Sequence, residues 1–207
     1  VLAGCGCGLG PGPDRLVAAV ARSVGPVCQV VQNRYGIIVV HADPVKGDMV
    51  CGGNVYDGRL NLDPEINSNK LHRLVALTAL HESPETVLVV GLASGSWLKL
   101  VEGVPGVSEI DVVEINPGYV DVIRRYPSHR GVLDDPRVRM HFDDGRRWLS
   151  LHRDRRYDLI VMNTTVHWRA YATLLLSREF LAEVRAHLKP GGLICFNATD
   201  SPAAVKT

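Results

Sequence analysis

The chain has 207 residues, of which 46% are hydrophobic and 22% charged, with 23 Lys and Arg against 22 Asp and Glu. That balance excludes a disordered, collagen-like or coiled-coil protein, and a net charge of +1 offers no electrostatic footprint for duplex nucleic acid or an anionic membrane. The length suits one domain with a core of its own and a small appendage.

Residues 1–13, rich in Gly and Pro, read as a flexible leader, and Asp14 is placed to cap a short helix over RLVAAVARSV that Gly25-Pro26 ends. From Val27 to Leu62 the pattern changes to short β-type runs: VCQVV, YGIIVVHA, DMVCGG and NVY. Turn signals at Asn33-Arg34, Pro44 to Asp48, Gly52-Gly53 and Asp57-Gly58 separate them, which predicts a small antiparallel sheet. An amphipathic helix follows over NKLHRLVALTALH, with Leu71, Leu74, Val75, Leu77, Thr78 and Leu80 at helical spacing.

After Pro84, strand and helix alternate. VLVVG (87–91) reads as a buried strand and SGSWLKLVE as the next helix. IDVVEI (110–115) is a second strand, followed by a helix from Pro117 to Tyr126. VRMHF (138–142), then the short helix GRRWLSLH, then YDLIVMN (157–163) continue the series. Ser177 is placed to cap SREFLAEVRAHL, and Lys189-Pro190-Gly191-Gly192 turns the chain into a fifth strand, LICFN. Continuous apolar strands alternating with helices predict a doubly wound α/β domain, a parallel sheet covered on both faces. The expected organisation is a leader and short helix over 1–26, a small N-terminal β domain over 27–66, and this doubly wound α/β domain over 67–207.

No run approaches the roughly eighteen uninterrupted apolar residues of a transmembrane helix. The five cysteines, Cys5, Cys7, Cys28, Cys51 and Cys195, are scattered and odd in number, which reads as reduced thiols in the cytoplasm. Cys5 and Cys7 have no second Cys or His pair near enough to complete a zinc site, so no metal is expected. Leu2-Ala3-Gly4-Cys5 spells a lipoprotein cleavage box without the charged and apolar regions that must precede one. The chain opens on Val1, so a start methionine or a longer N-terminal region is expected before it.

In a doubly wound sheet the ligand lies beyond the carboxyl ends of the strands, beside the first one. Three features converge there. Gly91-Leu-Ala-Ser94-Gly95-Ser follows the first strand and opens a helix, so its glycines allow close backbone approach and the helix offers free N–H groups. Glu114 ends the second strand, where an acid accepts hydrogen bonds from both hydroxyls of a ribose. Phe142-Asp143-Asp144-Gly145 ends the third, where a carboxylate either receives an adenine amino group or caps the next helix. Together they point to an adenosine, carried by NAD or by a sulfonium nucleoside. Ala93 and Ser96 fall short of the pyrophosphate fingerprint, and Lys-Pro-Gly-Gly before the fifth strand is common in sulfonium-using transferases.

These residues resemble the spermidine synthase family, the polyamine aminopropyltransferases and their relatives. The likeness is carried in order over residues 84–196 by VLVVGLASGSW, IDVVEINPGYVDVIRRYP, DDPRVRMHFDDGRRWL, YDLIVMNTT and LLSREFLAEVRAHLKPGG, and the β segment before them resembles that family's N-terminal strand domain. The resemblance implies the Rossmann-like fold of class I S-adenosylmethionine-dependent transferases and a site for S-adenosylmethionine or its decarboxylated form. By position Gly91, Gly95, Glu114, Asp144 and Gly145 match the family's nucleoside-binding residues; Ser94, Ile115, Asp143 and Asn163 share the same motifs.

The departures fall where the family keeps its chemistry. Its glycine loop carries an Asp that holds the donor's amine, and here Ser94 stands in that place. Its motif after the fourth strand, D-S-S-D-P, is here Asn163-Thr164-Thr165-Val166-His167. A Gln expected near the end of the β segment is here Tyr56. An amine with a free pKa of about 10 must lose a proton to attack, and Asn163 and Val166 cannot accept it; removing a positioned base costs roughly 10²–10⁴-fold. His167 and Asp144 are the candidates for managing that proton, with Asn163 beside them. Trp168 and Arg169 are placed to stack on or pair with an acceptor, as are Tyr56 and His72, although a His-Trp-Arg loop also suits simple packing over the sheet.

The expected function is therefore alkyl transfer from a sulfonium nucleoside to a small-molecule acceptor, with methyl transfer favoured because Ser94 replaces the donor-amine acid. The alternatives are a polyamine aminopropyltransferase with a rearranged acid set, and a non-catalytic domain that binds nucleoside or dimerises. About ten residues follow the fifth strand, where the family continues with an antiparallel strand pair, so a fragment or a five-stranded sheet is expected, the bare edge favouring a homodimer. Some relatives are joined to a membrane-spanning N-terminal half, and the Gly-rich leader fits the soluble remainder of such a protein; neither nucleic acid nor membrane contact is expected of this segment.

Overall fold

A computed structural model describes residues 13–22, 24–163 and 172–196. Helix α1 (Pro13–Ala21) opens one residue ahead of the expected cap, with Pro13 in the first turn, where a missing N–H breaks no helical bond. Four strands follow, β1 (Val27–Asn33), β2 (Gly36–His41), β3 (Met49–Gly52) and β4 (Val55–Arg59), paired antiparallel in that order. The Asp57-Gly58 dipeptide does not end this sheet as expected. β4 runs through it to Arg59, with Val50 opposite Gly58 and Cys51 opposite Tyr56, so Asp57 is the extra residue of a β-bulge.

Helix α2 (His72–Leu80) starts three residues later than the apolar spacing predicts. The reason is Asn69. Its buried amide donates to the carbonyls of Arg59 and Asn61 and accepts from the Arg59 N–H, so the side chain completes the end of β4 instead of entering a helix.

The main sheet comprises β5 (Thr86–Val90), β6 (Glu109–Glu114), β7 (Val138–Phe142), β8 (Tyr157–Met162) and β9 (Leu188–Phe196), all parallel in the order β7-β6-β5-β8-β9. Helices α3 (Ser96–Glu102), α4 (Gly118–Arg124), α5 (Gly145–Leu151) and α6 (Arg178–Ala186) make the crossovers. α6 begins at Ser177, whose hydroxyl accepts from the Phe180 N–H as its position predicts. The Lys189–Gly192 turn lies within β9 rather than before it. Tyr157 pairs with Leu188 and Leu159 with Leu193, so the four intervening residues bow out of one ladder, Gly191 at φ +79°.

Alternation along the central strands sorts two cores. Val87 and Val89 join Trp97, Leu98, Val101, Val122 and Ile123 on one face; Leu88 and Val90 join Trp148, Leu149, Phe180 and Val184 on the other. The small sheet belongs to the first core, because Ile38, Val40 and Val50 pack into the same cluster as α2, α3 and α4. Among the described residues, no helix is long and apolar enough to cross a membrane.

Candidate active site

The carboxyl ends of β5, β6, β7 and β8 meet at one edge, where the chain reverses from the β5-β6-β7 side to the β8-β9 side. Ladder bonds run past the strands and hold the loops that leave them. The Gly91 N–H donates to Val113 O at 2.8 Å, the Asp143 N–H to Glu114 O at 3.2 Å, and the Asn163 N–H to Val90 O at 2.9 Å. The glycine turn, Glu114 and Asp143 are thereby brought together as the spacing predicts, with Asn163, which the family resemblance adds, beside them.

Within the turn Gly91 and Gly95 lie at φ +89° and +76°, and Ala93 at +50°. A Cβ on Gly95 would come within 2.9 Å of Ile123 Cδ1, so a larger residue there is strained in conformation and has to displace the end of that side chain. Gly145, at the start of α5, has its own constraint: a Cβ would meet Val90 Cγ1 at 2.9 Å. The backbone of α5 therefore sits directly against the end of β5.

Glu114 is only 5% exposed, and its carboxylate ties the site together. Oε2 accepts the Leu92 N–H at 2.7 Å and Oε1 accepts the Asn116 N–H at 2.8 Å. One side chain thus holds the glycine turn on one side and the entry to α4 on the other. Ile115 and Phe142 stand beside it, 52% and 50% exposed.

Asp143 and Asp144 divide their work. The Asp144 carboxylate caps α5, accepting the Arg146 N–H at 2.8 Å, and pairs with the Arg146 guanidinium at 2.7 Å. That hydrogen bond to the Arg146 guanidinium, outweighing partial burial, holds its carboxyl below the usual range. Asp143 accepts the Asp144 N–H at 2.8 Å and pairs with Arg147 at 2.6 Å.

Ser94 turns away from solvent. It is 3% exposed, and its hydroxyl meets that of Ser96 at 3.0 Å. Ser96 continues the chain of contacts to Asn69 Nδ2 at 3.1 Å and His129 Nε2 at 3.2 Å. His129 is 1% exposed, and burial pushes its pKa down to about 4. This neutral cluster lies under the glycine turn, where the family pattern would place a charge.

Tyr56 and His72 share a different corner. The Tyr56 hydroxyl donates to Ser68 O at 3.3 Å, and His72 Nδ1 contacts Asn67 Nδ2 at 2.6 Å, so both exposed rings border the turn before α2. His167, Trp168 and Arg169 lie outside the described residues.

The spacing alone missed the residues that seat the small sheet on the site. Asn33 Nδ2 donates to Asn116 Oδ1 at 2.7 Å, and that oxygen also accepts the Gly118 N–H at 2.9 Å. A Cβ on Gly118 would meet Asn33 Nδ2 and Val31 Cγ1, both at 2.9 Å. The Tyr119 hydroxyl donates to the carboxylate of Asp57. Asn116-Pro117-Gly118 carries the one sequence signal for this, an Asn followed by a Pro-Gly helix start.

A Rossmann-like sheet with a glycine turn, a clamped acid after the second strand and a capped helix after the third is the architecture of a nucleotide-binding α/β domain. The spermine/spermidine synthase domain matches residues 71–206, and the chain belongs to that family. It is 34% identical over 119 residues to a polyamine aminopropyltransferase of Streptococcus uberis, covering 57% of this chain and 41% of that one. It is 32% identical over 114 residues to a spermine synthase of Arabidopsis thaliana, covering 55% and 32%. A spermidine synthase solved in complex with the transition state analogue AdoDATO superposes with a TM-score of 0.67 at 18% identity, covering 81% of this chain and 56% of that one. The Thermotoga maritima spermidine synthase gives 0.62 at 17%, covering 81% and 55%. The chain spans about two-fifths of the length of the first of these curated relatives and about half of the solved ones.

Proposed function

We propose that the chain binds decarboxylated S-adenosylmethionine and transfers its aminopropyl group to a small amine acceptor. The observation that carries this is Glu114, clamped between the glycine turn and α4 in a chain whose family match spans the whole nucleoside site. The similarity to polyamine aminopropyltransferases supports aminopropyl transfer ahead of the methyl transfer that Ser94 alone suggests.

Glu114 receives the ribose hydroxyls, Asp143 the adenine amino group, and Ile115 packs on the base. Gly91, Ser94, Gly95 and Gly145 supply the backbone that approaches the nucleoside. The acceptor nitrogen attacks the methylene carbon next to the sulfonium, the C–S bond breaks, and its electron pair returns to sulfur as a neutral thioether. The proton released from nitrogen needs a base. Asp144, held ionised and tied to Arg146, is a weak one, so we assign the proton to His167, with Asn163 orienting the amine. We assign Tyr56, His72, Trp168 and Arg169 to recognition of the acceptor. Holding donor carbon and acceptor nitrogen in line supplies much of the rate.

The buried, neutral Ser94 favours a second reading, methyl transfer from intact S-adenosylmethionine. Calorimetric titration with both donors and with NAD, followed by product analysis with putrescine, separates the readings. Tighter binding of the decarboxylated donor and a spermidine product are expected; preference for the intact donor with a methylated product selects the second reading, and binding of NAD alone removes both. The cytoplasm, which keeps thiols such as Cys28, Cys51 and Cys195 reduced, is the proposed compartment. β9 has no outer strand partner among the described residues, and the homodimer proposed through that edge is tested by the mass in solution.

A further inference from the structure

The donor proposed above carries two cations, a sulfonium and a primary ammonium at the far end of its three-carbon arm. A charge brought to a half-enclosed loop without a counter-charge is costly. Ser94 supplies none, since its hydroxyl is turned in on Ser96. The small sheet delivers a carboxylate to the same place. Asp57 is the extra residue of the β4 bulge, and a bulge releases its residue from the ladder and re-aims the side chain.

The aim is set by its neighbours. Gly58, buried at φ +127°, lies directly on the glycine turn: a Cβ there would come within 3.0 Å of Ser94 Oγ and 3.1 Å of Asn69 Oδ1. Adjacent Cα atoms are about 3.8 Å apart, so Asp57 emerges at that seam. Its carboxylate accepts the hydroxyl of Tyr119, in the first turn of the helix whose entry Glu114 holds. Asp57 is half-buried, so its carboxylate is not sealed within the core.

We propose that Asp57, extruded by the β4 bulge and held by Tyr119, receives the primary ammonium of the aminopropyl arm in place of the acid missing at Ser94. This rests on the donor reading above and deepens it. Asp57 thereby becomes the specificity-determining residue for the arm, Tyr119 its positioning residue, and the small sheet a part of the donor site.

Two thioether nucleosides isolate the interaction, 5′-methylthioadenosine and its 3-aminopropyl analogue, which share the nucleoside and an uncharged sulfur and differ in the ammonium arm. Calorimetric titration of the full chain is expected to show the aminopropyl thioether binding about tenfold or more tighter. Asp57→Asn keeps a carbonyl oxygen for the Tyr119 hydroxyl, so the seam stays closed while the charge is lost. It is expected to abolish the preference with 5′-methylthioadenosine affinity and melting temperature unchanged, and Tyr119→Phe to reduce the preference partially. A preference that survives Asp57→Asn, a wild-type chain without one, or an equal fall in both affinities overturns the assignment. Failure of the wild-type chain to bind either nucleoside overturns the donor reading itself and this assignment with it.

Discussion

The proposed nucleoside side and the proposed acceptor side of this site are built by different means. On the nucleoside side every functional group is a strand end or the turn after it, fixed by backbone hydrogen bonds to its neighbours: Gly91 to Val113, Asp143 to Glu114, Asn163 to Val90. On the proposed acceptor side the described groups come from a second sheet and from the turn before α2. The first arrangement follows from the parallel sheet and tolerates little change. The second depends on how separate segments meet, and the chain departs from the family pattern on both sides, at Ser94 and Asn163 as well as at Tyr56. Binding the nucleoside and choosing what reacts with it are therefore expected to be separable by mutation.

The largest expected effect sharpens that separation. His167→Ala is expected to lower kcat by roughly 10²–10⁴-fold with donor affinity unchanged, measured by steady-state turnover beside calorimetry. A fall in donor affinity instead would move His167 to the nucleoside side. Glu114→Gln is expected to do the reverse. It places an amide N–H₂ against a backbone N–H donor, so affinity for every adenosine-bearing ligand should fall by about tenfold or more, alongside a lower melting temperature.

Gly95→Ala forces a side chain into φ +76° and against Ile123, which costs about 1–3 kcal/mol of stability, read by urea unfolding. A smaller effect comes from the buried cluster beneath the turn. His129 keeps its proton off until about pH 4, whereas the unfolded chain takes one up near 6.5. Its contribution to stability is full above about pH 6.5 and is lost progressively as the pH falls towards 4. Unfolding at pH 7.5 and pH 5 is expected to show the loss, and His129→Gln to shrink the difference.

Much of the fold was legible in residue patterns because local physics set it. The apolar runs at 87–90, 110–113 and 157–162 are buried strands, since only a sheet covered on both faces accommodates them. Ser177 and Asp144 cap helices, as short polar side chains before an apolar period do. Boundaries shifted where long-range contacts competed. Asn69 left α2 to bond β4, and Lys189–Gly192 bowed out within β9 because both flanks keep their place on β8.

The sequence by itself determined the parallel α/β sheet, the glycine turn and the acid after the second strand, because strand periodicity, turn chemistry and strand-end position are properties of short segments. The tertiary structure alone decided that Asp57 is a bulge and not a turn, that Ser94 faces Ser96, and that Tyr119 reaches across from α4. An Asp-Gly pair satisfies a hairpin turn and a bulged strand equally well, and the choice between them is made by β3 alongside and the glycine turn underneath, neither of which lies next to it in the chain.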